Sequence, residues 1–468
     1  MKIAFVTSEL AGFAKVGGLA DVAASLPRAI ARLGHDVFVF VPLYRKIDGL
    51  RLVLDNPHPL WHASLHGIPT YFLESPKYFS GRSVYGDEAG DYADNAFRFA
   101  FFSRAVLETV EAAGLEPDVV HVNDWPTALA PVFTRGRLPM VLTIHNLAYQ
   151  GVFPREWLDA LGLPRELFHI DGLEFHGKIN FLKGGLMTAD ALTTVSPAYA
   201  REIQAPELGA GLDGVMRLRS KELVGILNGI EPSEWDPESD PALVARYSSR
   251  RLEGKHENKV AVQKELGLEA TAEAPLLGIV GRLDRQKGFD LLLEATPTLM
   301  AEGAQLAVLG SGSSETLRRF RALAESYPGA LAAEPGFNDE LGRRIYAGAD
   351  FFLMPSRYEP CGIGQMIALR YGTLPVVRET GGLRDTIRDL DADPRAGNGF
   401  VFHDFSADDL LSAVRRAIRL FEDRGRLRHV VARAMRQDFS WKASALRYEE
   451  VYERITRRRP TDAPADRL

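Results

Sequence analysis

Short apolar runs of strand length alternate with longer stretches of helical spacing along the whole chain, and this alternation is what most restricts its fold. In the first half the candidate strands are 2–8, 36–42, 117–123, 139–145, 191–196 and 222–228. In the second half they are 275–281, 305–310, 329–334, 350–355 and 374–378. Runs apolar on both faces and separated by helices belong to parallel sheets covered on both sides. Behind the first strand, Leu19, Val22, Ala23, Leu26, Ile30 and Leu33 recur at helical spacing, and Pro27 inside that pattern predicts a kink. Two such series in one chain predict an α/β fold of two doubly wound, Rossmann-like domains. The first is expected over 1–235 and the second over 236–435, because Pro232, Trp235, Pro237 and Pro241 break the pattern and a charged stretch, 250–273, follows. Residues 436–456 read as a helix, and the polar, proline-containing tail 457–468 is expected to be disordered.

Composition narrows the function classes. The 468 residues carry 56 basic and 62 acidic side chains, a net charge of -6, which lacks the basic footprint of a nucleic-acid binder. No stretch approaches the roughly 18 apolar residues of a membrane helix, and the N-terminal apolar run is too short for a signal peptide. A single cysteine, Cys361, excludes an internal disulfide framework and fits a reducing compartment, so a cytoplasmic location is expected.

In open α/β sheets ligands bind beyond the carboxyl ends of the strands, and the unusual residues collect there. Lys15, Gly17 and Gly18 follow the first strand, Asn123 and Asp124 the third, and His145 and Asn146 the fourth. The second half offers Arg282, Lys287 and Gly288, then Glu359, Cys361, Gly362, Ile363 and Gly364. Facing each other, two such edges would form one interdomain cleft. Glycines at a strand–helix turn allow backbone to approach an anion. An arginine fork with a lysine point charge suits a diphosphate. A carboxylate at Glu359 can hold a sugar hydroxyl or stabilise charge on an anomeric carbon. Each also has a plain structural reading: an ordinary turn, a solvated base, a helix-start acid. The GxGxxG match at 209–214 follows no strand and does not read as a cofactor site. His58, His62 and His66 are spaced by four, but Pro57 and Pro59 forbid the helix that would align them on a metal.

The ordered motifs together resemble the bacterial glycogen synthases and plant starch synthases, retaining glucosyltransferases of GT-B architecture. Residues 15–22 are similar to that family's KTGGLADV loop, and 121–128 to HxHDWxTA. Residues 91–99 resemble its YxDNxxRF segment, 143–153 TIHNLAYQGxF, 281–288 GRLxxQKG, and 355–365 PSRxEPCGLTQ. The resemblance implies that Lys15, Arg282 and Lys287 neutralise the diphosphate of a sugar nucleotide, with Gly17, Gly18, Gly362, Ile363 and Gly364 giving backbone access. It implies that Phe337 stacks on the base, that Glu359 and Cys361 line the glucose site, and that His145 contacts the sugar. Asp124, Asp21, Tyr92, Asn146 and Asn228 would complete the glucosyl and acceptor pocket, and the helix at 436–456 would cross back to the first domain. The implied partners are ADP-glucose and an α-1,4-glucan such as glycogen, with no metal or other cofactor. A UDP-glucose enzyme and a nucleotide-sugar epimerase or hydrolase on the same scaffold stay open. Val16, Asn123, Asn338 and Gly364 depart from the family pattern and bear on donor choice and rate.

Overall fold

A computed structural model describes residues 1–457 apart from Ala89, Arg135 and Phe337. The expected disordered tail therefore lies outside the described residues, except for Arg457, which closes a helix. The described residues divide into two compact units, 1–228 with 441–457, and 229–440. The division thus falls at 228/229 and 440/441, displaced from the expected 235/236 and 435/436, because the proline-rich segment containing Trp235 packs with the second unit. There Arg370 donates to the Trp235 carbonyl at 3.2 Å and to Asp236 at 2.8 Å.

The first unit is built from β1 (Lys2–Val6), α1 (Gly18–Ala31), β2 (Asp36–Pro42), β3 (Arg51–Leu54), β4 (Leu60–Leu65), β5 (Ile68–Leu73), α2 (Asn95–Ala112), β6 (Val119–Asn123), β7 (Met140–Ile144), β8 (Ala191–Thr194) and β9 (Leu223–Gly225). Among the described residues these strands form one nine-stranded sheet in the order β9-β8-β7-β6-β1-β2-β5-β4-β3. Its centre is parallel and dry: Ile3, Ala4, Phe5 and Val6 are fully buried, as apolar strands covered by helices must be. The sheet departs from all-parallel expectation at one edge, where β3, β4 and β5 pair antiparallel. The cause is local. Only His66 and Gly67 separate β4 from β5, and both have positive φ, 53° and 76°, the geometry of a tight hairpin turn.

The second unit contains β10 (Leu276–Leu283), α3 (Phe289–Ala301), β11 (Gln305–Gly312), β12 (Leu331–Pro335), β13 (Phe351–Met354), α4 (Gly364–Arg370), β14 (Leu374–Arg378), α5 (Gly381–Thr386) and β15 (Phe400–Phe402). Its sheet runs β12-β11-β10-β13-β14-β15, all parallel. Counted within the unit this is the order 3-2-1-4-5-6, which reverses direction between β10 and β13 and leaves a crevice beyond their carboxyl ends.

The last helix, α6 (Trp441–Arg457), belongs to the first unit. Tyr452 is fully buried and meets His121 Nδ1 of β6 at 2.7 Å, while Glu449 meets His35 at 2.8 Å. Among the described residues no helix is long and apolar enough to cross a membrane.

Candidate functional site

In the first unit the order reverses between β1 and β6, and the polar groups gather at their carboxyl ends. Glu9, three residues beyond β1, turns inward and is 4% exposed. Its Oε2 accepts the N–H groups of Val16 at 2.7 Å and Gly17 at 2.8 Å, and its Oε1 accepts the Tyr85 hydroxyl at 2.9 Å. The glycine loop is therefore held from inside by a carboxylate. Among the described residues a Cβ on Gly17 or Gly18 would meet nothing within 4 Å, and neither residue has positive φ. Glycine at these positions serves no internal packing need, which leaves the open side of the loop as the reason for it. Lys15 pairs with Asp21 at 2.7 Å, and the Val16 side chain is half exposed.

Asp124 follows β6 with a φ of 55°, a left-handed position that Asp tolerates better than most residues. Its carboxylate accepts the His145 N–H at 2.7 Å and the Asn146 N–H, so it binds the start of the loop after β7. Burial pushes Asp124 up to about 7; the two N–H groups oppose this rise and the nearby Glu9 charge adds to it. Burial pushes His145 down to about 3, so the ring is neutral. Asn123 donates Nδ2–H to the Val6 carbonyl at 3.0 Å, which turns its Oδ1 toward His145 Nε2 at 2.9 Å. That network makes Nε2 the donor and leaves Nδ1 as an acceptor. Asn123 is thus a fixed tautomer-setting residue, with its own place in the network.

The second unit's site lies at its reversal point. Lys287, in the loop after β10, reaches Glu359, in the loop after β13, with Nζ 2.7 Å from Oε2. Ser356 donates to the same oxygen at 3.1 Å, and the Arg357 N–H donates to the Gln286 carbonyl at 2.8 Å, which ties the two loops together. The Glu359 side chain is 5% exposed against 25% for Lys287, so the carboxylate is the buried member. Arg282 lies at the end of β10, half exposed, with Nη2 3.5 Å from Asp284. Two glycines are demanded by the backbone. Gly288 has φ 72° and a Cβ there would stand 1.9 Å from the Pro355 carbonyl oxygen; Gly381, at φ 46°, would place one 1.9 Å from that of Glu359. Cys361 is buried, and its carbonyl accepts from Gln365 at 3.1 Å. Gly362 has φ 69°, Ile363 precedes α4, and Gly364 begins it. A Cβ on Gly364 would lie 3.1 Å from both Phe352 and the Tyr346 hydroxyl, so a threonine has little room.

Most of the expected residues thus cluster within their own units: Lys15, Gly17, Gly18 and Asp21 on one loop, Asp124, His145 and Asn146 on the adjoining pair, and Arg282, Lys287, Glu359 and 361–364 in the second unit. Tyr92 adjoins Tyr85, donating its N–H to the Tyr85 carbonyl at 3.0 Å. Its ring lies between Arg82, 4.2 Å away, and the buried Arg98, 4.8 Å away. The tyrosine that reaches the Glu9–Asp124 cluster is Tyr85. Asn228 is buried, and its Oδ1 has no hydrogen-bond partner among the described residues. Phe337 lies outside the described residues, and Asn338 beside it caps the helix Asp339–Gly348 by accepting the Leu341 N–H at 3.0 Å. His58 and His66 bind Glu108 and the Ala11 carbonyl, each at 2.8 Å, and do not converge. Sequence reasoning missed Glu9, Tyr85 and Ser356. An acid directly after an apolar strand and ahead of a glycine loop was a usable signal for Glu9, whereas nothing local marks Tyr85.

Residues 2–218 match the family model described as starch synthase catalytic domain, and 267–436 that of glycosyl transferases group 1. The chain is 46% identical to the glycogen synthase of Syntrophotalea carbinolica over 97% of its own length and 99% of that protein's. With the glycogen synthase of Anaeromyxobacter sp. (strain Fw109-5) the identity is 49% over 97% and 99%. Among solved structures, the catalytic domain of starch synthase IV from Arabidopsis thaliana bound to ADP and acarbose superposes with a TM-score of 0.89 at 34% identity, covering 97% of this chain and 99% of that one. Sucrose-phosphate synthase from Thermosynechococcus elongatus, at 20% identity and TM-score 0.61 over 97% and 98%, shares the fold.

Proposed function

The chain belongs to the starch and glycogen synthase family of GT-B glycosyltransferases, and on that premise we propose that it transfers glucose from ADP-glucose to the 4-hydroxyl at the non-reducing end of an α-1,4-glucan, with retention, in the cytoplasm. The observation that carries the reading is the buried Glu359 carboxylate, held by Lys287 at the reversal point of the second sheet. Lys287 and Ser356 both engage Oε2, which leaves Oε1 to accept from a glucose hydroxyl. Arg282 and Lys287 neutralise the charge that grows on the diphosphate as the anomeric C–O bond breaks, and Lys15 adds to them. Gly17 and Gly18 let the backbone of their loop come close to the donor. In the first unit, neutral His145 offers Nδ1 as an acceptor for a sugar hydroxyl, and Asp124 and Asn146 line the same edge.

Retention proceeds on one face of the sugar. As the bond from the anomeric carbon to the phosphate oxygen breaks, that phosphate oxygen takes the proton of the incoming 4-hydroxyl, whose own oxygen bonds to the anomeric carbon. Basic side chains carry the leaving-group charge, so the reaction is proposed to need no metal. The ADP bound by the Arabidopsis relative supports an adenine nucleotide as the donor.

The test is glucose incorporation into glycogen from ADP-glucose and UDP-glucose side by side, with and without EDTA. Preference for ADP-glucose, unaffected by EDTA, is the expected result. Preference for UDP-glucose overturns the donor assignment but keeps the reaction, loss of activity with EDTA overturns metal independence, and no incorporation from either donor overturns the proposal.

A further inference from the structure

The segment between β1 and α1 is closed in two pieces. Leu10 and Ala14 exchange both backbone hydrogen bonds at 2.8 Å, which fixes 10–14, and α1 fixes everything from Gly18 onward. The span between, 15–17, carries Lys15 and the first glycine, and its Val16 and Gly17 N–H groups converge on the single oxygen Oε2 of Glu9. Two successive N–H groups aimed at one point form an anion-binding nest. Here the nest is filled by the protein's own carboxylate. Glu9 is in turn immobilised, because Oε1 accepts from Tyr85, whose hydroxyl lies 2.9 Å from Ser8 Oγ.

We propose that Glu9 is a positioning residue, an internal anion that pre-forms the donor loop so that an incoming diphosphate meets Lys15 and the open face of Gly18, not the Val16 and Gly17 amides. This rests on the donor reading above for its substrate but not for its geometry. With the nest already occupied, the loop is ordered before the donor arrives, and the donor is spared the entropy of ordering it. Reach, more than charge, is what the role requires. Glutamine keeps a carbonyl oxygen at the same distance, whereas aspartate keeps the charge but withdraws it by about 1.5 Å, one C–C bond.

The experiment compares wild type, Glu9→Gln and Glu9→Asp in two measurements, each on protein whose circular dichroism shows it folded. Amide hydrogen exchange over residues 10–20 is expected to be slow in wild type, to stay slow in Glu9→Gln, and to accelerate at Val16 and Gly17 in Glu9→Asp. In steady-state glucosyl transfer, Glu9→Asp is expected to raise the donor KM roughly tenfold while the acceptor KM changes less than about twofold, with Glu9→Gln several-fold closer to wild type. A general loss of fold would instead lower kcat and shift both KM values. Wild-type exchange rates in Glu9→Asp overturn the proposal, as does accelerated exchange with an unchanged donor KM. If wild type transfers no glucose from any donor, the functional reading fails on its own; exchange together with calorimetric titration of ADP into the three proteins then decides the role of Glu9 by the same pattern.

Discussion

Replacing Lys287 by methionine keeps the length and apolar stem of the side chain and removes the ammonium that sits 2.7 Å from Glu359. What remains is a carboxylate whose side chain is 5% exposed, with the Ser356 hydroxyl at 3.1 Å on the same oxygen. Removing one partner of a buried ion pair costs about 3–5 kcal/mol, because the other charge stays buried without compensation. Lys287 is one-quarter exposed, so water enters once it is gone, and the lower end, about 3 kcal/mol, is expected. For a unit of this size that corresponds to a fall in Tm of about 6–12 °C. The double variant Lys287→Met, Glu359→Gln removes both charges and leaves no stranded carboxylate, so it should be the more stable of the two, with a coupling of about 2 kcal/mol. Urea unfolding of wild type, both single variants and the double variant measures each corner of the cycle. A Lys287→Met protein as stable as wild type, or a coupling below about 0.5 kcal/mol, would refute the claim that the pair stabilises the reversal point.

Two further outcomes follow from the same geometry. Asp124, faced by Glu9, Tyr85 and His145, has its carboxyl raised to about 7 by burial, well above its unfolded value. The folded protein then binds more protons than the unfolded chain between about pH 4 and 7, so Asp124 costs stability progressively as pH rises through that window. Asp124→Asn removes this slope: its Tm relative to wild type should climb from pH 5 to 8, and a constant difference would contradict the assignment. Gly18→Ala places a methyl where none of the described residues lies within 4 Å and should fold with unchanged or slightly higher Tm while donor KM rises. Gly381→Ala, at φ 46° with its methyl 1.9 Å from the Glu359 carbonyl oxygen, should lose more than about 2 kcal/mol and most transferase activity; equal melting temperatures for the two variants would overturn this contrast.

The amino-acid sequence by itself determined the architecture and the chemistry on offer. Strands apolar on both faces announce their own limits, and Asp36–Pro42 and Leu374–Arg378 fall where hydrophobicity places them. The glycine-rich and basic edges, and the motifs that tie the chain to its family, are local properties that need no third dimension to be seen. The antiparallel edge β3–β5 was harder to read, because Arg51, Leu52 and Val53 are all exposed and carry no burial pattern.

Tertiary structure alone decided which groups meet and in what electrostatic state. Lys287 and Glu359 are 72 positions apart and become partners only because the 3-2-1-4-5-6 order sets β10 beside β13. Tyr85 reaches Glu9 across 76 positions, and Tyr452 reaches His121 across 331. The neutral ring of His145 and the raised carboxyl of Asp124 likewise depend on burial among distant segments. Hydrophobic patterning is carried by neighbours in the chain, whereas hydrogen bonding and desolvation are set by neighbours in space. That is why the parallel centres of both sheets were legible in the sequence, whereas the strands 51–54, 60–65, 68–73 and 400–402 and the working partnerships between distant residues were not.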